Sequence, residues 1–72
     1  MRIKIKTVAH LRNEGWGFDD SGYLRKEGVG VSLLPTMQKE CGLEFESTLT
    51  QNDAYYAPSG YAFPEEAVII LD

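Results

Sequence analysis

The sequence predicts a small, mainly β protein: a compact barrel of short strands with two short helical turns that plug or flank it. Three observations predict it. Strand-like runs recur near residues 1–6, 29–33, 43–49, 54–57, 61–63 and 67–71, with Tyr23-Leu24 as an optional extra. Gly-rich and Asp-rich turns join them, in a chain of only 72 residues. Closure also handles the free edges that a three-stranded open sheet leaves. The alternative is an open α+β antiparallel sheet with the helices packed on one face. The length allows one small domain, residues 1–72, and no linker, internal repeat or low-complexity tract divides it.

Met1, Ile3 and Ile5 alternate with Arg2, Lys4 and Lys6, a period of two that makes a half-buried strand with its isoleucines toward the core. Thr7 reads as the N-cap and Gly15 as the C′ residue of a very short helix, Val8 to Glu14. Val8 and Leu11 form its apolar face, and His10 lies off that face, exposed. So short a helix is held only by tertiary contact. Trp16-Gly17-Phe18 leads into the turn Asp19-Asp20-Ser21-Gly22, where aspartate oxygens bond the following backbone. After Arg25-Lys26-Glu27 and Gly28, Val29 and Val31 alternate with Gly30 and Ser32 as a strand weakened by its glycines.

Pro35 suits the first position of a second helical turn and Gly42 its C′ position after Cys41. Met37 and Cys41, four apart, face the core, where cysteine behaves as a small hydrophobe. Leu43, Phe45, Ser47 and Leu49 alternate with Glu44, Glu46 and Thr48, and Gln51-Asn52-Asp53 forms the next turn. In Ala54 to Ala57, Tyr55 reads inward with Ala57, and Tyr56 outward with Ala54. Pro58-Ser59-Gly60 turns the chain, Tyr61 to Phe63 is extended, and Pro64-Glu65-Glu66 makes a single helical turn. Ala67 to Leu71 closes the chain as a strand, apolar on both faces from Val68 onward.

Composition and charge exclude several function classes. There are 11 acidic and 7 basic residues, a net charge of −4. Arg2, Lys4, Lys6 and Arg12 fall in the first twelve residues, and every acid falls beyond them. An acidic body argues against a general nucleic-acid binder, which presents a basic face. The single cysteine, Cys41, forms no internal disulfide, and small secreted scaffolds usually carry several. A reducing, cytoplasmic setting is therefore expected. No apolar run approaches the roughly 18 residues of a membrane span. Lys4 and Lys6 interrupt Ile3 and Ile5, so no signal-peptide core is expected either.

No enzyme chemistry is expected. His10 and Cys41 are far apart in sequence and match no metal-ligand spacing. Asp19-Asp20 lacks the ligand spacing of a calcium loop, and Gly28 and Gly30 begin no phosphate-binding pattern. Glu65-Glu66 opens a helical turn, where negative charge is welcome without any chemistry. No cofactor or metal is expected.

The aromatic content points instead to a protein-binding module. One Trp, four Tyr and three Phe are more rings than a core this small easily hides. The expected contact set is Trp16, Phe18, Asp19, Tyr56, Tyr61 and Glu65, which suits a basic or amphipathic segment of a protein partner. On this expectation, Trp16→Ala and Tyr56→Ala leave the fold intact and abolish binding. Two further hypotheses stand beside it. One is a homo-oligomeric assembly protein, a homodimer pairing through the apolar terminal strand. The other is an acidic anti-host factor of a mobile element acting on a host protein, for which the net charge is small and scattered.

The stretch Gly60-Tyr61-Ala62-Phe63-Pro64-Glu65-Glu66-Ala67-Val68 resembles the end of SH3 domains, where a one-turn helix leads into the last strand. The chain as a whole is similar to small proteins encoded by bacteriophages and prophages. The residues carrying that likeness are the Lys/Ile opening strand, Gly15-Trp16, Cys41-Gly42 and the Tyr-rich hairpin. The resemblance implies an SH3-like barrel and names no activity. Two departures separate the chain from proline-peptide-binding SH3 domains. Ala67 stands where their one-turn helix carries a Tyr, and Trp16-Gly17-Phe18 stands in place of their Ala-Leu-Tyr-Asp-Tyr run. Fold likeness therefore implies no proline-peptide site.

Overall fold

The computed structural model describes residues 1–47 and 53–72. β1 (Arg2–Ile5) is followed by α1 (Val8–Asn13), β2 (Gly17–Phe18), β3 (Leu24–Arg25) and α2 (Pro35–Gln38). Then come β4 (Glu44–Glu46), β5 (Ala54–Tyr56), β6 (Ala62–Pro64), a 3₁₀ turn (Glu65–Ala67) and β7 (Val68–Ile70). Thr48 and Leu49 of the expected fourth strand, and Gln51 and Asn52 of the turn after it, lie outside the described residues.

The strands form three separate antiparallel sheets, ordered β4-β1-β7, β2-β3 and β5-β6. Among the described residues no ladder joins them, so the expected SH3-like barrel is corrected to an open α+β arrangement. Closure requires every strand to be bonded along both sides. Strands of two to four residues supply too few ladder bonds for that. The expected strand at 29–33 does not form. Gly28 turns the chain at φ +85°, Val31 is exposed, and only Leu33 makes an isolated bridge, exchanging bonds of 2.9 and 2.8 Å with Leu24.

The core lies on the inner face of the three-stranded sheet. Ile3 and Ile5 are fully buried there, with Phe45 and Ile70 opposite Ile3 and Val68 opposite Ile5. Leu11, Leu24, Leu33, Phe63 and Ala67 are fully buried against them, and Val8, Val29 and Cys41 pack at the margin. On the outer face, Arg2 and Lys4 stand opposite Glu46 and Glu44, and Arg2 reaches diagonally to Glu44 at 3.8 Å.

Both helices are set by their ends. Thr7 Oγ1 accepts the His10 N–H at 3.1 Å, as an N-cap does. At the other end Gly15, at φ +101°, donates to the Arg12 carbonyl, and the Trp16 N–H reaches back to the Leu11 carbonyl at 3.0 Å. These two bonds make a Schellman motif, in which the residue after the glycine packs on the last helical turn. α2 starts at Pro35 and ends at Gln38, earlier than the Gly42 stop expected from sequence. Gly42 instead reverses the chain into β4, at φ +92°, and its N–H bonds to the Ile5 carbonyl at 2.8 Å.

Candidate functional site

The six expected contact residues do not form one surface. Trp16 is only 3% exposed, because the Schellman motif turns it inward beside Leu11. It is a core residue, which corrects the expectation of a partly exposed ring. Phe18 is exposed on β2 and lies under the Arg12 guanidinium, 5.6 Å from the ring centre. Asp19 is occupied structurally: its Oδ1 accepts the Ser21 and Tyr23 N–H groups at 2.9 Å each. Tyr61 is exposed, and its hydroxyl donates to Thr36 Oγ1 at 3.0 Å, tying the β5–β6 turn to α2. Ser59 adds a second tie there, donating to Glu40 Oε2 at 2.8 Å.

Tyr56 and Glu65 are brought together. Alternation along β5 buries Tyr55 and leaves Tyr56 51% exposed, the orientation expected from sequence. Tyr56 and Glu65 line a cleft of about 390 Å³ between residues 29–31 and the β5–β6 hairpin. Sequence reasoning missed Val31, Asp53 and Glu66 as part of this cleft. The alternation of Val29 and Val31 predicts a strand, and only the folded chain carries Val31 next to β5–β6. Glu66 was legible as the neighbour of Glu65, though not as its partner in a groove.

A second feature is the outer edge of β7. Leu71 N–H bonds to the Arg2 carbonyl and Lys6 N–H to the Ala67 carbonyl, each at 2.9 Å, which fixes the phase of the β1–β7 ladder. By the alternation of antiparallel bonding, the backbone groups of Val68 and Ile70 then point away from β1. Val68 N–H turns back to the Glu65 carbonyl. The Val68 carbonyl and both backbone groups of Ile70 have no partner among the described residues. A hollow of about 340 Å³ lies beside this edge, lined by Tyr55, Glu65, Glu66, Val68 and Ile70.

Burial, and then the neighbouring Glu40, push the Cys41 thiol up from its ordinary value, which lowers its thiolate content at neutral pH. Among the described residues no group of three or more His, Cys, Asp and Glu side chains is placed to hold a metal. His10 sits beside Glu14 at 3.4 Å on the exposed side of α1. No helix among the described residues is long and apolar enough to cross a membrane.

No protein-family model, no curated protein and no solved structure matches this chain. The likeness to bacteriophage and prophage proteins therefore finds no relative to carry it, and the open sheets remove the barrel on which it leaned. Both are set aside.

Proposed function

We propose that this protein is a non-catalytic assembly module that pairs with a second copy of itself through the outer edge of β7. The observation that carries this is the unprotected edge itself. Natural sheets blunt free edges with charge, proline, bulges or a covering segment. The opposite edge of the same sheet, β4, carries Glu44 and Glu46, whereas the run Val68-Ile69-Ile70-Leu71 carries no charge. Ile70 is 50% exposed and Leu71 45%.

An antiparallel pairing about a two-fold axis at Ile70 uses the groups left free. Ile70 exchanges both backbone bonds with its mate, and Ile69 of each copy stands opposite Leu71 of the other. The two sheets become one continuous sheet, and an apolar stripe is removed from water at its centre. A cytoplasmic setting is part of this proposal, supported by the lone, disulfide-free Cys41.

Sedimentation velocity over a range of concentrations tests it. The unmodified chain is expected to shift from monomer to dimer as concentration rises, and Ile70→Lys to stay monomeric with an unchanged circular dichroism spectrum. A chain that remains monomeric at every concentration overturns the reading.

A further inference from the structure

We propose that the cleft between residues 29–31 and the β5–β6 hairpin binds a segment of another protein that carries lysine or arginine beside small apolar residues. This cleft shares Glu65 and Glu66 with the hollow beside β7, but its other lining residues lie in residues 29–31 and the β5–β6 hairpin, and its argument does not rest on the β7 pairing. Its lining combines the apolar residues Val29, Val31, Ala62 and Pro64 with the exposed Tyr56 ring. Its carboxylates are Asp53, Glu65 and Glu66, and among the described residues its lining contains no Lys, Arg or His.

The charge pattern selects the occupant. Among the described residues Glu14, Glu44, Glu46 and Asp19 each stand within ion-pair distance of a cation, and Asp20, Glu27, Glu40 and Asp72 do not, so what marks the cleft is three carboxylates gathered in one lining. Asp53, Glu65 and Glu66 have no such partner among the described residues. A groove walled by one sign of charge concentrates ligands of the other sign. A lysine or arginine lays its aliphatic stem on apolar surface while its charged head stays near solvent and carboxylates. The face of the Tyr56 ring offers the same cation a second favourable contact. Nucleic acid and anionic lipid are repelled by the same charges. A second copy is a poorer occupant: Lys4, Lys26 and Lys39 have no ion-pair partner among the described residues, but Lys4 lies between the fully buried Ile3 and Ile5, and Lys26 and Lys39 each precede a glutamate. The volume of about 390 Å³ lies in the range of pockets that hold a few side chains.

The test is an NMR titration of the ¹⁵N-labelled full chain with the peptide acetyl-Lys-Leu-Lys-Leu-Lys-amide, alongside a counterpart with every Lys replaced by Glu. The basic peptide is expected to shift the amides of Val31, Tyr56, Ala62 and Glu66. The acidic peptide is expected to leave them in place. Affinity should fall about tenfold when salt is raised from about 0.05 to about 0.5 M, because exposed charges are screened. A loss of about tenfold is also expected in the double variant Glu65→Gln, Glu66→Gln, the scale on which two exposed ion pairs contribute. Equal responses to the two peptides, no response to either, or shifts confined to β7 overturn the proposal. Sedimentation at the titration end point separates a bound peptide from a second copy of the chain, and a dimer that excludes the peptide from the cleft also overturns it.

Discussion

Gly15 takes a backbone conformation, φ +101°, that residues with a side chain rarely adopt, and the chain direction it sets is what buries Trp16. Truncating that ring removes contacts from the centre of a small core. Trp16→Ala is therefore expected to cost about 3–5 kcal/mol, read as a lowered midpoint in urea, rather than to weaken binding selectively. The glycine stop was legible in the sequence. The consequence for Trp16 follows once the motif is completed, since the residue after the glycine packs on the last helical turn. Glu14 offers a prediction of another kind. The hydrogen bond from Lys6 Nζ, at 2.8 Å, holds its carboxyl below its ordinary value of 4.5. A carboxylate depressed in the folded state contributes stability above its unfolded value, and that contribution is lost as pH falls through the lowered folded value. A carbon-detected NMR titration of Glu14 is expected to show this low midpoint, and Lys6→Met to raise it toward the ordinary range. An unchanged midpoint in the variant would remove Lys6 as the cause.

At the scale of elements, the ends of the short pieces matter more than their lengths. Neither helix is long enough to hold itself, and α2 is stitched in place by Gln38. Its side-chain amide donates to the Gly22 carbonyl at 2.8 Å and to the Leu33 carbonyl at 2.9 Å, joining the β2–β3 turn to the segment before α2. Gln38→Ala is expected to cost about 1–3 kcal/mol, because the Gly22 carbonyl loses its partner in a partly buried position. Hydrogen exchange should locate the loosening in the β2–β3 hairpin. Protection lost uniformly over the chain would mean that Gln38 acts on the whole core instead. The period-two alternation of β1 was sufficient to place Ile3 and Ile5 inside. The same pattern in Val29 and Val31 failed, since alternation marks a strand only where a neighbouring strand offers bonds.

For the molecule as a whole, the open arrangement leaves two surfaces uncovered. These are the outer edge of β7 and the carboxylate-lined cleft beside the β5–β6 hairpin. Tyr56 stands on that cleft with its ring outside the core, so Tyr56→Ala should move the unfolding free energy by no more than about 0.5 kcal/mol. The same variant is expected to weaken binding of the basic peptide, and a large drop in stability would place the ring in the core. The sequence by itself determined the local pieces: the facing of β1, the Thr7 cap, the Gly15 stop, the orientation of Tyr55 and Tyr56, and the charged first strand joined to an acidic remainder. Each rests on bonds or periodicities spanning a few residues, which a sequence displays directly. Only the tertiary structure decided that the sheets stay open and that Val31, Tyr56 and Glu66 line one cleft. Those outcomes depend on which distant segments find enough backbone partners to pair, and two- to four-residue strands leave that balance outside any local pattern.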